Sequence, residues 1–124
     1  MLWRRDTGNW VPTLSGADNT IYFGSANTIV HALDANDGSV KWQHNITEGT
    51  FNYVLGAPIR VGDDLVFLTQ HGDIMVLDAL DGTLRWHFPT AITARTGLTI
   101  SGDQIFLGDQ DGIIYAYGSE KGDG

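Results

Sequence analysis

Carboxylates and imidazoles are the side chains in this sequence that could do chemistry, since it holds thirteen Asp and four His but no Cys. Two Asp-rich segments, DANDG at 34–38 and DQDG at 109–112, first suggest calcium loops. The EF-hand spacing D-x-[DN]-x-[DN]-G fails, because Gly38 stands at the fifth position counted from Asp34. We therefore interpret these Asp residues as turn formers.

The histidines show no ligand pattern either. No pair has a metal-binding spacing such as H-x-x-x-H, and no G-x-S-x-G nucleophile elbow is present. The absence of Cys removes thiolate nucleophiles, thiolate metal sites and disulfides. The sequence thus predicts no catalytic, cofactor-binding or metal-binding residue. The four histidines without such a pattern are His31, His44, His71 and His87.

The Asp-rich turns belong to a repeat. LDANDGSVKW at 33–42 returns as LDALDGTLRW at 77–86, with every shared residue displaced by 44 positions. Within each copy, the Asp can accept hydrogen bonds from turn N–H groups and the Gly can adopt a positive φ. The Trp can bury a large flat surface between neighbouring sheets. The predicted docking motif comprises Asp34, Gly38, Trp42, Asp78, Gly82, Trp86 and, at the start of the chain, Trp3.

The tryptophans have an alternative interpretation as a ligand-stacking cluster. One Trp recurs at the same place in each unit, in Trp3, Trp42 and Trp86. A packing core needs one such residue per repeated unit, whereas a ligand site has no reason to recur. The spacing therefore favours a structural core.

The elements that carry this motif are predicted to be short strands. Segments such as TIYFG, TIVHALD, SVKWQHN and DLVFLT are β-branched or aromatic, and Gly/Asp/Asn turns separate them. Three stretches align: 21–38, 65–82 and 105–122. Each unit has three strands, and the first two continue into a fourth. The chain is predicted to be all-β, built of consecutive antiparallel hairpins.

The third unit ends at KGDG, where its fourth strand would begin. The opening segment MLWRRDTG, at 1–8, resembles the fourth strands VKWQHN and LRWHFP. We therefore predict three four-stranded units in one partial propeller domain over 1–124. The repeats cover about 9–50, 51–93 and 94–124, and residues 1–8 complete the last blade, an arrangement that hides strand edges.

Composition limits the possible partners and compartments. A net charge of −8 disfavours nucleic acid. No apolar run approaches the roughly 20 residues that cross a bilayer. The first residues also lack the apolar region of a signal peptide, so the sequence does not assign a compartment.

ALDANDGSVKW at 32–42 and VLDALDGTLRW at 76–86 resemble the Ala-x-Asp-x-x-Thr-Gly-x-x-x-Trp docking motif of PQQ-like β-propeller repeats. Such repeats occur in quinoprotein dehydrogenases and in the propeller lipoprotein of the bacterial outer-membrane assembly machinery. The resemblance implies propeller blades and an extracytoplasmic location. Asp37 and Asp81 depart from it by standing where Thr is commonest, as does Gly118 in the Asp position.

The resemblance leaves several functions open. Quinoprotein dehydrogenases hold PQQ and Ca²⁺ with a catalytic Asp and usually a vicinal Cys pair, whereas this chain has no Cys and only three units. We therefore expect no enzyme and no cofactor, but a scaffold that binds other proteins through its loops. The alternatives are a part or relative of a PQQ-dependent dehydrogenase, and a small-ligand or sensor propeller. Because propellers close with four to eight blades, we also expect self-association, as a homodimer of six blades, or a longer propeller.

Overall fold

The computed structural model describes residues 1–8, 14–24, 28–46, 54–90, 92 and 97–118. These residues form strands and no helix, which confirms the all-β prediction. The strands are β1 (Leu14–Ala17), β2 (Thr20–Gly24), β3 (Ile29–Asp34), β4 (Val40–Asn45), β5 (Val54–Val61), β6 (Asp64–Thr69), β7 (Asp73–Asp78), β8 (Leu84–Pro89), β9 (Thr99–Ser101), β10 (Gln104–Gly108) and β11 (Ile114–Gly118).

The strands form three antiparallel sheets in chain order. The first sheet is β1-β2-β3-β4, the second β5-β6-β7-β8, and the third β9-β10-β11. The turns follow from their residues. For example, Asp18 and Asn19 connect β1 to β2 with φ values of 51° and 60°. Two successive positive φ angles are what a tight two-residue hairpin requires, and Asn and Asp tolerate them. The predicted propeller blades are confirmed.

Two hydrophobic clusters stack the sheets. One joins the first sheet to the second and the other joins the second to the third. The second sheet supplies both, because side chains alternate across a strand. Leu65 and Phe67 face the first sheet, whereas Val66 and Leu68 face the third. The second sheet is therefore covered on both faces.

The N-terminal segment differs from its prediction. Residues 1–8 contain no strand, and the described part of the third sheet has three strands. The single chain thus does not form the predicted pairing between its N terminus and the last blade. Instead, the indole Nε1 of Trp3 donates to the carbonyl of Ala35 beside the first sheet, at 3.0 Å. The second sheet lies between the first and the third, so this segment cannot contact both end sheets of one chain.

Candidate functional site

The repeated turns share one hydrogen-bond pattern. In the first sheet, Asp34 Oδ1 accepts the N–H of Asn36 at 2.8 Å, and the N–H of Gly38 donates to the carbonyl of Asp34 at 2.8 Å. In the second sheet, Asp78 Oδ1 accepts the N–H of Leu80 at 2.8 Å. The N–H of Gly82 donates to the carbonyl of Asp78, also at 2.8 Å. Each Asp thus closes its own turn, as an Asx-turn does.

Trp42 lies on the turn of the following sheet. Its Nε1 donates to the carbonyl of Ala79 at 3.0 Å, and its side chain is only 7% exposed. Gly82 has a φ of +80°, and a Cβ at that position would stand 2.5 Å from Trp42 Cε3. The indole therefore fits only against a residue that has no side chain.

Trp3 repeats this geometry one sheet earlier. Its bond to the carbonyl of Ala35 has the same 3.0 Å length. Gly38 has a φ of +78°, and a Cβ there would stand 2.5 Å from Trp3 Cε3. Trp3 lies outside any strand. It nevertheless contacts the turn of the first sheet as Trp42, on the fourth strand of the first sheet, contacts the turn of the second.

Trp86 has a more open environment. It is 50% exposed and stacks on Phe88 with ring centroids 5.6 Å apart. Phe88 meets Tyr117 edge-on at 5.5 Å. When the repeats are aligned, residues 118–122 correspond to the turn 78–82 that Trp42 contacts. Of these five residues, only Gly118 lies within the part of the chain that the structure describes. A cavity of about 380 Å³ is lined in part by Trp86, Phe88, Tyr117 and Gly118.

Two cations next to the tryptophans were not recognised from the sequence. A register shift at the same place in the first two sheets leaves Lys41 and Arg85 without an opposite residue on the third strand. Arg85 donates to Asp64 Oδ1 at 2.5 Å and to Asp78 Oδ2 at 2.7 Å. The hydrogen bond from Arg85 lowers the pKa of Asp78 below its usual range. A cation directly before each Trp, in VKW and LRW, was the available signal.

Arg60 joins the first two sheets and was also missed. Its Nη2 lies 3.0 Å from Asp18 Oδ2 and 3.7 Å from Asp63 Oδ1. Its Nη1 donates to the hydroxyl of Tyr22 at 2.7 Å. The Arg60 side chain is only 11% exposed and Tyr22 is buried, whereas the carboxylates of Asp18 and Asp63 are 77% and 68% exposed.

The histidines are engaged in packing and pairing. His31 stacks on Phe23 with centroids 4.7 Å apart, and burial, assisted by the charge of Arg5, lowers its pKa. Burial also lowers the pKa of His44. His87 Nε2 lies 3.0 Å from Asp73 Oδ1. Across the described ranges, no three His, Asp or Glu residues are grouped so as to hold a metal ion. Within the same ranges, no helix is long and apolar enough to cross a membrane.

The stacked antiparallel sheets, with tryptophans on the turns of the following sheets, define a β-propeller of PQQ-like repeats. The protein-family model described as "Outer membrane protein assembly factor BamB" matches residues 2–123. The chain therefore belongs to this family.

Individual relatives agree with that assignment. BamB of Yersinia pestis is 36% identical over an alignment of 116 residues that covers 89% of this chain and 28% of the relative. BamB of Moranella endobia is 28% identical over 122 residues, covering 93% of this chain and 30% of the relative. The chain thus spans less than a third of the length of the curated BamB relatives.

Solved structures support the fold. The crystal structure of BamB from Moraxella catarrhalis superposes with a TM-score of 0.72 at 21% identity, over 94% of this chain and 36% of that chain. The quinohemoprotein alcohol dehydrogenase of Comamonas testosteroni gives a TM-score of 0.55 at 24% identity, over 60% of this chain and 12% of that chain. At such identities the likeness concerns the fold alone.

Proposed function

We propose that this chain is a non-catalytic propeller module that acts in outer membrane protein assembly by binding other proteins through its loops. The observation that carries the proposal is the family match over residues 2–123, because the family and its named relatives are outer membrane protein assembly factors. Its place of action is then extracytoplasmic. No cofactor is required for this role.

The side chains of the site support a scaffold. The carboxylates of Asp34, Asp78 and Asp109 each accept hydrogen bonds from turn N–H groups. Asp78 is also engaged by Arg85. Holding the backbone of the turns accounts for the place of these carboxylates in the repeat. We propose that these residues maintain the shape of the blades and that the loops bind the partner proteins.

The repeat division and the docking residues belong to the same proposal. The repeats cover about 9–50, 51–93 and 94–124, and residues 1–8 are assigned to the last of them. The tryptophans and turn glycines hold successive blades together and thereby orient the loops. Self-association of the blades is part of the same proposal.

Leu80 is a candidate contact residue for a protein partner. It lies in the turn between β7 and β8, with 69% of its surface exposed, although it is apolar. The net charge of −8 favours a partner surface that carries Lys and Arg. Leu80, with Asp78 and Asp81 beside it in the sequence, would anchor such a partner by an apolar contact.

Reconstitution tests the proposed function. Outer-membrane assembly machinery, purified without its own BamB, is placed in proteoliposomes, and folding of an outer membrane β-barrel substrate is measured with and without this chain. We expect the chain to bind the machinery and to raise the folded yield. Leu80→Ser should weaken that binding, whereas Leu84→Ser, which changes a half-exposed leucine on β8, should not. If the chain does not bind the machinery and does not change the folded yield, the proposal is wrong.

An assay for the alternative function is simple. PQQ and Ca²⁺ are added to the chain, and dye-linked alcohol oxidation is followed. We expect no turnover above that of PQQ and Ca²⁺ alone. Turnover that requires the chain would replace the scaffold proposal with that of a quinoprotein enzyme.

A further inference from the structure

The fourth strand of each of the first two sheets lies at an edge. Within the described residues, β4 pairs only with β3, and β8 pairs only with β7. The backbone N–H and C=O groups along the other side of each strand have no strand partner there. A row of such groups is a template on which another strand can add.

The side chains of β8 favour such an addition. All six of its residues are exposed, and three of them are the large apolar Leu84, Trp86 and Phe88. Arg85 is the only Lys, Arg, Asp or Glu residue in β8, as Lys41 is in β4. Apolar strands with little charge and an open edge pair readily with other chains. A natural protein therefore needs a feature that protects these edges.

Both strands carry an irregularity at the same place. The pairing with the third strand passes over one residue of the fourth, which is Lys41 in β4 and Arg85 in β8. An extra residue of this kind is a β-bulge, which bends its strand and increases its twist. A bent edge does not present the regular row of groups that a further strand needs.

The two extra residues are cations, and both reach back across the third strand. Lys41 Nζ donates to Oγ1 of Thr20, the first residue of β2, at 2.7 Å. Arg85 Nη1 donates to Oδ1 of Asp64, the first residue of β6, at 2.5 Å, and its Nη2 donates to Asp78 Oδ2 at 2.7 Å. Each cation thus connects the fourth strand to the second. These bonds hold the bulge at one place in its strand.

The charges themselves also oppose an added strand. The side chains of Arg85 and Asp64 are 42% and 43% exposed, and Lys41 is exposed as well. A strand laid along the edge beside the bulge would remove part of their contact with water. Taking charged groups out of water costs free energy unless new partners replace it.

We propose that Lys41 and Arg85 exclude added strands from the outer edges of the first two sheets and thereby restrict what the chain can bind. The excluded class is the extended polypeptide strand, whether it belongs to another copy of this chain or to an unfolded β-barrel protein. Binding partners are then left with the turns and loops. This inference goes beyond the proposed role in assembly and does not require it, since it concerns the edges of the chain itself.

Replacing each cation tests the inference. Arg85→Val and Lys41→Val put a β-branched residue with a high strand preference at the bulge. Each purified variant is compared with the natural chain at equal concentration by light scattering and thioflavin T fluorescence. We expect both variants to form large assemblies about tenfold faster than the natural chain. Lys41→Val loses one hydrogen bond of an exposed side chain, so it also answers the question if Arg85→Val folds poorly.

Asp78→Asn is the matched control, because it removes one partner of Arg85 but keeps the cation at the edge. It should stay as dispersed as the natural chain. Hydrogen exchange locates the contact: the assemblies should protect the amides of β8 in Arg85→Val and of β4 in Lys41→Val. Valine variants as dispersed as the natural chain would overturn the inference. So would assemblies of Asp78→Asn that form as fast, or assemblies that leave β4 and β8 unprotected. Membrane assembly is not measured in these experiments, so the two proposals fail separately.

Discussion

At the scale of single residues, the contact between Trp and Gly explains the motif best. Gly82 has a positive φ, and the ring of Trp42 fills the space of its missing side chain. Gly38 and Trp3 show the same combination. Two independent requirements, backbone conformation and close approach, therefore fall on one residue. Substitutions can separate these two contributions.

Gly82→Ala should lower the free energy of unfolding by about 3 kcal/mol. About 1 kcal/mol comes from a positive φ in a non-glycine residue, and the remainder from displacing Trp42 in a filled core. Gly112→Ala is the matched control, because its φ is +87° and nothing lies within 4 Å of the added Cβ. It should cost about 1 kcal/mol, the backbone contribution alone. Urea unfolding measures both, and equal losses would show that the ring contact adds nothing.

Asp78 should give the protein part of its stability at neutral pH. Its pKa is lowered in the folded chain, first by the hydrogen bond from Arg85 and then by the N–H of Leu80. A depressed carboxyl pKa stabilises the fold above its unfolded value, about 3.9, and this stability is lost as pH falls through the folded pKa. Asp78→Asn should therefore be less stable than the natural chain at pH 7, with the difference shrinking below about pH 4. Parallel stability curves between pH 7 and pH 2.5 would contradict this.

At the scale of elements, hydrophobic alternation and turn chemistry predicted most strands. The segment TIYFG matches β2 (Thr20–Gly24), and DLVFLT at 64–69 matches β6 (Asp64–Thr69). Both lie between Gly, Asp or Asn turns, so the local signal is strong. Local signals decide which residues form strands, and here they were sufficient.

Contacts between elements were harder to predict. The bonds from Arg60 to Tyr22 and Asp18 join residues about forty positions apart, and nothing near Arg60 in the sequence indicates them. The placement of residues 1–8 depends on which sheet is within reach, which a strand pattern does not reveal. The register shift that leaves Lys41 and Arg85 without an opposite residue on the neighbouring strand appears only when two strands are paired. These features depend on residues that are far apart in the sequence, whereas composition and periodicity reflect only neighbouring residues.

Arg60→Met should cost about 2 kcal/mol, because it leaves the buried hydroxyl of Tyr22 without its charged partner. Lys41→Met is the control. It removes one hydrogen bond of an exposed side chain, to Thr20 Oγ1 at 2.7 Å, and should cost less than about 0.5 kcal/mol. Guanidinium unfolding of both variants, and of Arg60→Met with Tyr22→Phe, measures the coupling. Additive losses in the double variant would show that the two side chains act independently.

At the scale of the whole molecule, the three sheets are not equally protected. The second sheet contributes to both hydrophobic clusters, whereas each end sheet contributes to one. Leu65, Leu68 and Ile74 of the second sheet are fully buried, whereas Ile114 of the third is largely exposed. Local opening requires less energy where fewer apolar contacts hold a sheet. The chain should therefore be most stable in its second sheet and least stable at β11.

Hydrogen exchange followed by mass spectrometry tests this gradient. We expect the amides of β6 and β7 to exchange slowest and those of β11 fastest. The variant Ile114→Asp, which places a charge at a largely exposed position of the third sheet, should leave the middle sheet protected. Uniform exchange across the three sheets would show that the chain opens as one cooperative unit.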